Sequence, residues 1–186
     1  MLELTLHTFA CPLGKILLLT DAEARVRALD WFDCEQRMRR LLDRHYGRAG
    51  WLIAAAAARA PAPVALQALA GYFGGALQAL DTLPVATAGT PFQQQVWAAL
   101  RGIGVGRTLS YGAFAAKLCT PGAARALGLA VGANPISLIL PCHRVVGSSG
   151  QLTGYAGGIE RKRWLLEHEQ VLPRLAHGAS GRATRV

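Results

Sequence analysis

Apolar and polar positions alternate through the first third of the chain. Leu2, Leu4 and Leu6 share one face of an opening strand, Pro12-Leu13-Gly14-Lys15 reads as a hairpin turn, and Ile16 to Leu19 predicts a short buried strand. Val26, Ala28 and Asp30-Trp31-Phe32 predict a third strand of the same small sheet. The period then changes, and from Arg37 to Tyr46 the residues Met38, Leu41, Leu42 and His45 recur at helical spacing. Ala54 to Ala58 is an alanine-rich patch, read as a tolerant segment without a function of its own. Val64, Leu66, Leu69, Tyr72 and Phe73 mark a helix that stops at Gly74-Gly75.

Asp81 to Gly89, with Pro84 and small residues, reads as a linker. Beyond it the pattern turns helical. Thr90-Pro91 is an N-cap followed by proline at the first helical position, and Phe92, Val96, Trp97 and Leu100 form the apolar stripe, ended by Gly102 and Gly104. Ser110 caps a second helix from Tyr111 to Leu118. Pro121-Gly122 opens a third, with Ala123, Ala124, Ala126 and Leu127 around a single charge, Arg125. Two short helices and a tight turn predict a helix-turn-helix, although the same spacing also suits a helical hairpin that binds no DNA. The small residues around Arg125 leave little for reading bases and would let the helix approach a groove closely. Together these elements predict an α+β protein. A small N-terminal mixed α/β domain with a short sheet occupies 1–80, followed by a linker over 81–89. A mainly helical domain then spans 90–172, and residues 173–186 read as a flexible basic tail.

Composition narrows the class. With 52% hydrophobic and 17% charged residues in 186, the chain is a folded one with room for a real core, not a disordered segment. Mean hydropathy is +0.25, yet no run approaches the roughly 18 apolar residues a spanning helix needs, and Glu3 sits where a signal peptide would be positive. A cytosolic protein without a membrane partner is expected. Cys11, Cys34, Cys119 and Cys142 form no close pair, so neither a disulfide framework nor structural zinc is expected. The net charge of +9 is unevenly spread: residues 1–89 hold 9 Lys/Arg against 8 Asp/Glu, and residues 90–186 hold 11 against 3. Such asymmetry, with 17 of the 20 basic residues arginine, suits a polyanionic partner as well as a merely solvated basic surface.

Candidate chemistry centres on one cysteine. The apolar run Ile136 to Leu140 reads as a strand that stops at Pro141-Cys142-His143-Arg144-Val145. Neighbouring side chains on a strand point to opposite faces, so Cys142 and His143 cooperate only if Pro141 breaks the strand and a turn follows. An imidazole in reach of a thiol, directly or through one water, can take its proton, and Arg144 adds positive potential. The alternative is a buried cysteine beside a satisfied core histidine. In the last helix Leu165, Leu166 and Leu172 form the apolar stripe, and Glu169 lies on it. An inward carboxylate needs a partner, and His143 fits, which gives a Glu-His-Cys relay. A solvated helix-end glutamate is the other reading.

Pro141-Cys142-His143-Arg144-Val145, preceded by Asn134-Pro135 and followed by Gly154-Tyr155-Ala156-Gly157-Gly158, resembles the signature of the O6-alkylguanine-DNA alkyltransferases. The resemblance extends to Thr90-Pro91-Phe92-Gln93, Ser110-Tyr111-Gly112, the helix around Arg125, and Trp164-Leu165-Leu166 with His168-Glu169. It is dense over residues 88–170. Cys11-Pro12-Leu13-Gly14, Asp30-Trp31 and the Tyr72-Phe73 helix fit the more variable N-terminal region, and the whole is most similar to the bacterial constitutive, Ogt-type members.

That resemblance implies direct, irreversible DNA repair. The alkyl group of O6-alkylguanine, and of O4-alkylthymine, passes to Cys142, and the protein is consumed once per lesion. His143 matches the base, and Glu169 the residue that polarises it. Tyr111 matches the tyrosine that rotates the phosphate beside the lesion and donates its hydroxyl toward the purine. Arg125 matches the finger that fills the space of the flipped base, and Asn134 the turn leading into the active-site segment. Tyr155 and the backbone of Ala156 match the alkyl-pocket loop, with Ser148 and Ser149 in the adjoining loop. The implied partner is double-stranded DNA carrying alkylated bases, approached from the minor groove with nucleotide flipping, by a monomer without cofactors. Ala156 stands where some members have serine, so only a backbone N–H could reach O6 there. Some members bind zinc in the N-terminal domain, but Asp21 aligns with one of its cysteines, so no metal is expected. A thiol hydrolase or peptidase is a rival that would turn over repeatedly. A non-repairing lesion sensor or regulator is another, against which the presence of Cys142 counts.

Overall fold

The computed structural model describes residues 1–54, 64–118 and 122–173. Most of the alanine-rich patch, Cys119, Pro121 and the tail beyond residue 173 lie outside the described residues. The N-terminal alternation forms a four-stranded sheet in the order β3-β2-β1-β4. Strands β1 (Leu2–Cys11) and β2 (Gly14–Thr20) are joined by the two residues Pro12 and Leu13, with Cys11 paired to Gly14, and β2 pairs antiparallel with β3 (Val26–Trp31). The fourth strand, β4 (Trp51–Ala54), adds in parallel to β1 and has no counterpart among the strands read from sequence. Helix α1 (Glu35–Tyr46) lays Met38 and Leu42 on the face of the sheet that carries Leu4, Leu17, Leu19 and Ala28. The opposite face, with Ile16, Leu18 and Leu29, merges into the main core. Asp21 is held by Arg25 and Arg27 through its Oδ2, at 2.9 and 2.6 Å.

After α2 (Val64–Phe73), the segment 84–86 lies along the free edge of β3, where Val26 N–H donates to the Pro84 carbonyl at 2.9 Å and Ala86 N–H to the Val26 carbonyl at 3.0 Å. Val85 bridges Val26, and Leu83 is buried. The same open edge of β3 receives the chain again at Pro135–Ser137. The N–H of Leu29 donates to the carbonyl of Pro135 at 3.0 Å, and that of Ser137 to the carbonyl of Leu29 at 2.9 Å. Covering an edge in this way satisfies its backbone and anchors the segment that leads into Cys142.

The helical half follows its caps. Thr90 accepts from Gln93 N and the Gln93 side chain returns the bond to Thr90 N, a full capping box that starts α3 (Pro91–Leu100). Ser110 accepts from Ala113 N at the start of α4 (Tyr111–Lys117), which packs on α5 (Ala124–Gly132), as α3 also does. Before α4, Leu109–Ser110 (β5) pairs in parallel with Val145–Val146 (β6). The last helix is α6 (Ile159–His168).

Residues 136–140 are not the strand their apolar character predicts. Only Ile136 makes a bridge, and the chain then coils tightly, with Leu138 at φ 67. Asn134 enforces this. Its Oδ1 accepts from Ile136 N at 2.9 Å and its Nδ2 donates to Leu140 O at 2.8 Å, so a single buried side chain closes the turn at both ends. A run of buried apolar residues looks the same in a strand and in a buried turn, because burial, not pleat, sets its composition.

Candidate active site

Pro141 ends the coil and the chain enters one 3-10 turn, Cys142–Arg144. In that turn Cys142, His143 and Arg144 are all buried, at 8%, 0% and 4% exposure. Such depth for a histidine and an arginine requires partners, and Glu169 supplies them. It caps the C-terminal end of α6, and its Oε1 lies 2.9 Å from His143 Nε2 and 2.8 Å from Arg144 Nη2, while its Oε2 accepts from Arg144 Nε at 2.8 Å. Tyr72, from α2, donates its hydroxyl to the same Oε1 at 2.8 Å. Glu169 therefore faces inward, as its place on the stripe predicts, with more donors than the sequence disclosed.

The electrostatics define the protonation states. Burial alone would raise the Glu169 pKa, but His143 and Arg144 override it and hold the carboxyl well below the usual range, so it is ionised. An ionised Glu169 accepts from Nε2–H of His143, which leaves Nδ1 as the unprotonated nitrogen. That atom is buried and has no hydrogen-bond partner among the described residues. Burial pushes the His143 pKa down despite Glu169, so the ring is neutral near neutral pH and can act as a base. Burial likewise pushes the Cys142 thiol up, only partly offset by the Asn134 amide and by the positive charges of Arg37 and Lys162. The raised pKa makes Cys142 a thiol, not a standing thiolate.

Other groups surround the sulfur. The β5–β6 pairing sets the start of α4 against the strand that follows the cysteine turn, and Tyr111 interacts with Cys142 from there. Burial and that sulfur push the Tyr111 pKa up, so the phenol is a donor. Tyr155 also interacts with Cys142, and its hydroxyl is buried. The loop carrying it passes very close to the N-terminal sheet: a Cβ on Gly157 would lie 2.3 Å from Trp31 Nε1, so no larger residue fits there. Arg161 covers the same tryptophan, 4.6 Å from its ring centre, and donates to the Gly157 carbonyl at 3.0 Å. Lys162, fully buried, donates to the carbonyls of Val145 at 2.6 Å and Thr153 at 2.7 Å and so ties the two ends of the intervening loop.

Cys142, His143, Glu169, Tyr111, Asn134 and Tyr155 are thus brought together. Ala156 is exposed at the rim, where its carbonyl accepts from Cys34 Sγ at 3.6 Å. Ser148 is exposed on the turn after β6. Arg125 is exposed in the first turn of α5, and Leu129, one turn on along the same face, is 71% exposed. Sequence reading named Tyr72 only as part of a helix, without its contact to Glu169, and did not single out Leu129 or Lys162. The helical spacing of Leu129 was legible, but the partners of the other two follow only from tertiary packing.

A buried cysteine, a histidine bonded to a buried glutamate, and two short helices, α4 and α5, packed on each other define the C-terminal half as a thiol-bearing α-helical unit. Residues 91–171 match the family described as 6-O-methylguanine DNA methyltransferase, DNA binding domain. A relative from Salmonella typhimurium, the methylated-DNA--protein-cysteine methyltransferase, is 49% identical over 172 residues, which is 92% of this chain and 99% of the relative. The fold is similar to the crystal structure of Mycobacterium tuberculosis OGT in complex with DNA, with TM-score 0.70 and 39% identity over 90% of this chain and 92% of that one. It is also similar to the O6-methylguanine-DNA methyltransferase of Pyrococcus kodakaraensis, with TM-score 0.60 and 25% identity over 89% and 98%. The chain belongs to the methylated-DNA--protein-cysteine methyltransferase family.

Proposed function

We propose that this protein repairs DNA by moving the alkyl group of O6-alkylguanine, and of O4-alkylthymine, onto Cys142 in a single irreversible turnover. The observation that carries this reading is the buried Cys142-His143-Glu169 arrangement, with His143 Nδ1 unpartnered and Nε2 committed to Glu169. His143 takes the thiol proton through Nδ1, directly or by way of a water. The Cys142 sulfur then attacks the alkyl carbon, the carbon–O6 bond breaks, and its electron pair stays on the guanine. Tyr111 donates its proton to the purine as that charge develops, and the proton held by His143 passes through water to Tyr111, so the guanine leaves neutral and both side chains return to their starting states. The product is a thioether, which no nearby group can reverse, so the transferase is stoichiometric.

The target atom lies inside the duplex, so the base must leave the stack. Helix α5 approaches from the minor groove, Arg125 fills the vacated space, and Tyr111 rotates the neighbouring phosphate. The loop with Ser148, Tyr155 and Ala156 borders the alkyl pocket, and Asn134 shapes the turn behind the sulfur. Residues 90–172 form the transfer and DNA-binding unit, and residues 1–80 support it. The protein works as a cytoplasmic monomer without metal or cofactor. Among the described residues no helix is long and apolar enough to cross a membrane. A sensor that does not repair would have no use for the nucleophile that Cys142 supplies.

Incubation with free O6-benzylguanine and mass spectrometry of the protein test the reading. A benzyl adduct on Cys142, capped at one per chain, is expected. Repeated turnover without an adduct would reject it.

A further inference from the structure

The oxygen of Glu169 that meets His143 also receives a donor from the other half of the chain. Tyr72 lies on α2, is 1% exposed, and donates its hydroxyl to Oε1 at 2.8 Å. Its backbone carbonyl lies 2.8 Å from His168 Nε2, and its ring meets the His168 ring edge-on at 5.2 Å. His168 in turn stacks on Trp164 at 4.8 Å. Tyr72 is therefore fastened to the last turn of α6 at both its backbone and its hydroxyl. Burial and Glu169 both keep the phenol protonated, so it is a permanent donor.

We propose that Tyr72 is a positioning residue for the transfer reaction, whose hydroxyl sets how strongly Glu169 holds the proton on His143. This inference rests on the Cys142-His143-Glu169 relay proposed above. Three donors converge on Oε1, from Tyr72, His143 and Arg144, and each shares the charge of one oxygen. The charged and titratable groups around the relay are these three, together with Cys142, with Lys162 acting on His143, and with Tyr155 and the His168 ring facing Tyr72. None of the others can replace a neutral donor aimed at Oε1. Without the phenol, Glu169 carries more uncompensated charge and draws the Nε2 proton more strongly. His143 then binds a second proton, at Nδ1, at a higher pH. Because the reaction needs Nδ1 free, the acid limb of the pH–rate profile moves up.

The test uses the full chain and free O6-benzylguanine, with rates measured from about pH 5 to about pH 9, alongside nitrogen-15 NMR titration of His143. Tyr72→Phe should shift the acid limb and the His143 titration together, upward by about half a unit to one unit, which is about three- to tenfold in rate on the acid side. The high-pH plateau should remain. Glu169→Gln serves as the reference and should move the same limb. If it does so while Tyr72→Phe leaves both the limb and the His143 titration in place, Tyr72 is merely structural and the proposal falls. If neither variant moves the limb, the relay itself fails and takes the proposal with it. Site-specific replacement of Tyr72 by 3-fluorotyrosine gives an independent check. A more acidic phenol is a stronger donor, so the limb should move down, and an upward or absent shift overturns the idea.

Discussion

Replacing Glu169 by glutamine should weaken the fold as well as the chemistry. The side chain is wholly buried and receives bonds from Tyr72, His143 and both Arg144 nitrogens that face it. Glutamine preserves the shape but removes the charge, and it turns an NH2 group toward one set of donors. Arg144, itself 4% exposed, then keeps the Ile103 carbonyl and the single remaining amide oxygen as acceptors but has lost its counter-charge. Removing one partner of a buried ion pair costs about 3–5 kcal/mol, a large share of the roughly 5–15 kcal/mol that holds a domain together. At about 2–4 °C per kcal/mol for a chain of this size, Tm should fall by about 6–20 °C. The pH dependence provides a second signature. The folded pKa of Glu169 is depressed, so its stabilisation is present above the unfolded value, 4.5, and is lost as pH falls toward the folded one. The gap between parent and variant should therefore be widest near neutral pH and narrow on acidification. Thermal melts followed by circular dichroism, from about pH 3 to about pH 7, measure both effects. A Tm loss below about 2 °C, or a gap that does not change with pH, would show that the buried charge of Glu169 does not stabilise the fold.

Three further outcomes are expected. Arg125→Ala should slow repair of duplex DNA by about one to three orders of magnitude, for a loss of about 1.4 kcal/mol per tenfold, while reaction with free O6-benzylguanine persists, because only the duplex requires flipping. Equal losses on both substrates in parallel rate assays would make Arg125 structural. Lys162→Met leaves the carbonyls of Val145 and Thr153 without their buried donor, at about 1–3 kcal/mol for an unsatisfied group. Lower Tm and a slower reaction with the free base should follow, and an unchanged pair of values would show that the loop holds itself. Cys142→Ala should abolish transfer yet bind duplex DNA with nearly the parent affinity, and fluorescence anisotropy should show binding that weakens steeply with salt. Salt-independent binding would contradict a phosphate-dominated interface.

The signals that sequence reading exploits are local, and the elements it found are those with local causes. Thr90 with Gln93 and Ser110 with Ala113 are caps whose partners lie three residues away, so their helices begin where the pattern places them. Glu169 follows from its spacing to Leu165 on one helix face. The failures have tertiary causes. Strand β4 is four residues long and half-buried, held by pairing with β1, and it lacks the alternation of an independent strand. Residues 136–140 are buried without being extended, because Asn134 closes them into a turn. Tyr72 meets Glu169 across 97 positions of sequence, and in the helical pattern it is only one more apolar residue. Arg144 reads as added positive potential beside the cysteine, whereas its two-nitrogen grip on Glu169 is a property of the folded turn.

The proposed repair reaction makes Cys142 the acceptor of the alkyl group and consumes the protein in doing so. Duplex DNA carrying radiolabelled O6-methylguanine, incubated with a limiting amount of protein and followed by peptide mapping, tests it most directly. Label should transfer to the peptide containing Cys142, reach a plateau at one methyl group per chain, and leave unmodified guanine in the DNA. Label on Cys11, Cys34 or Cys119, or methyl removal beyond one equivalent of protein, would exclude stoichiometric transfer to Cys142.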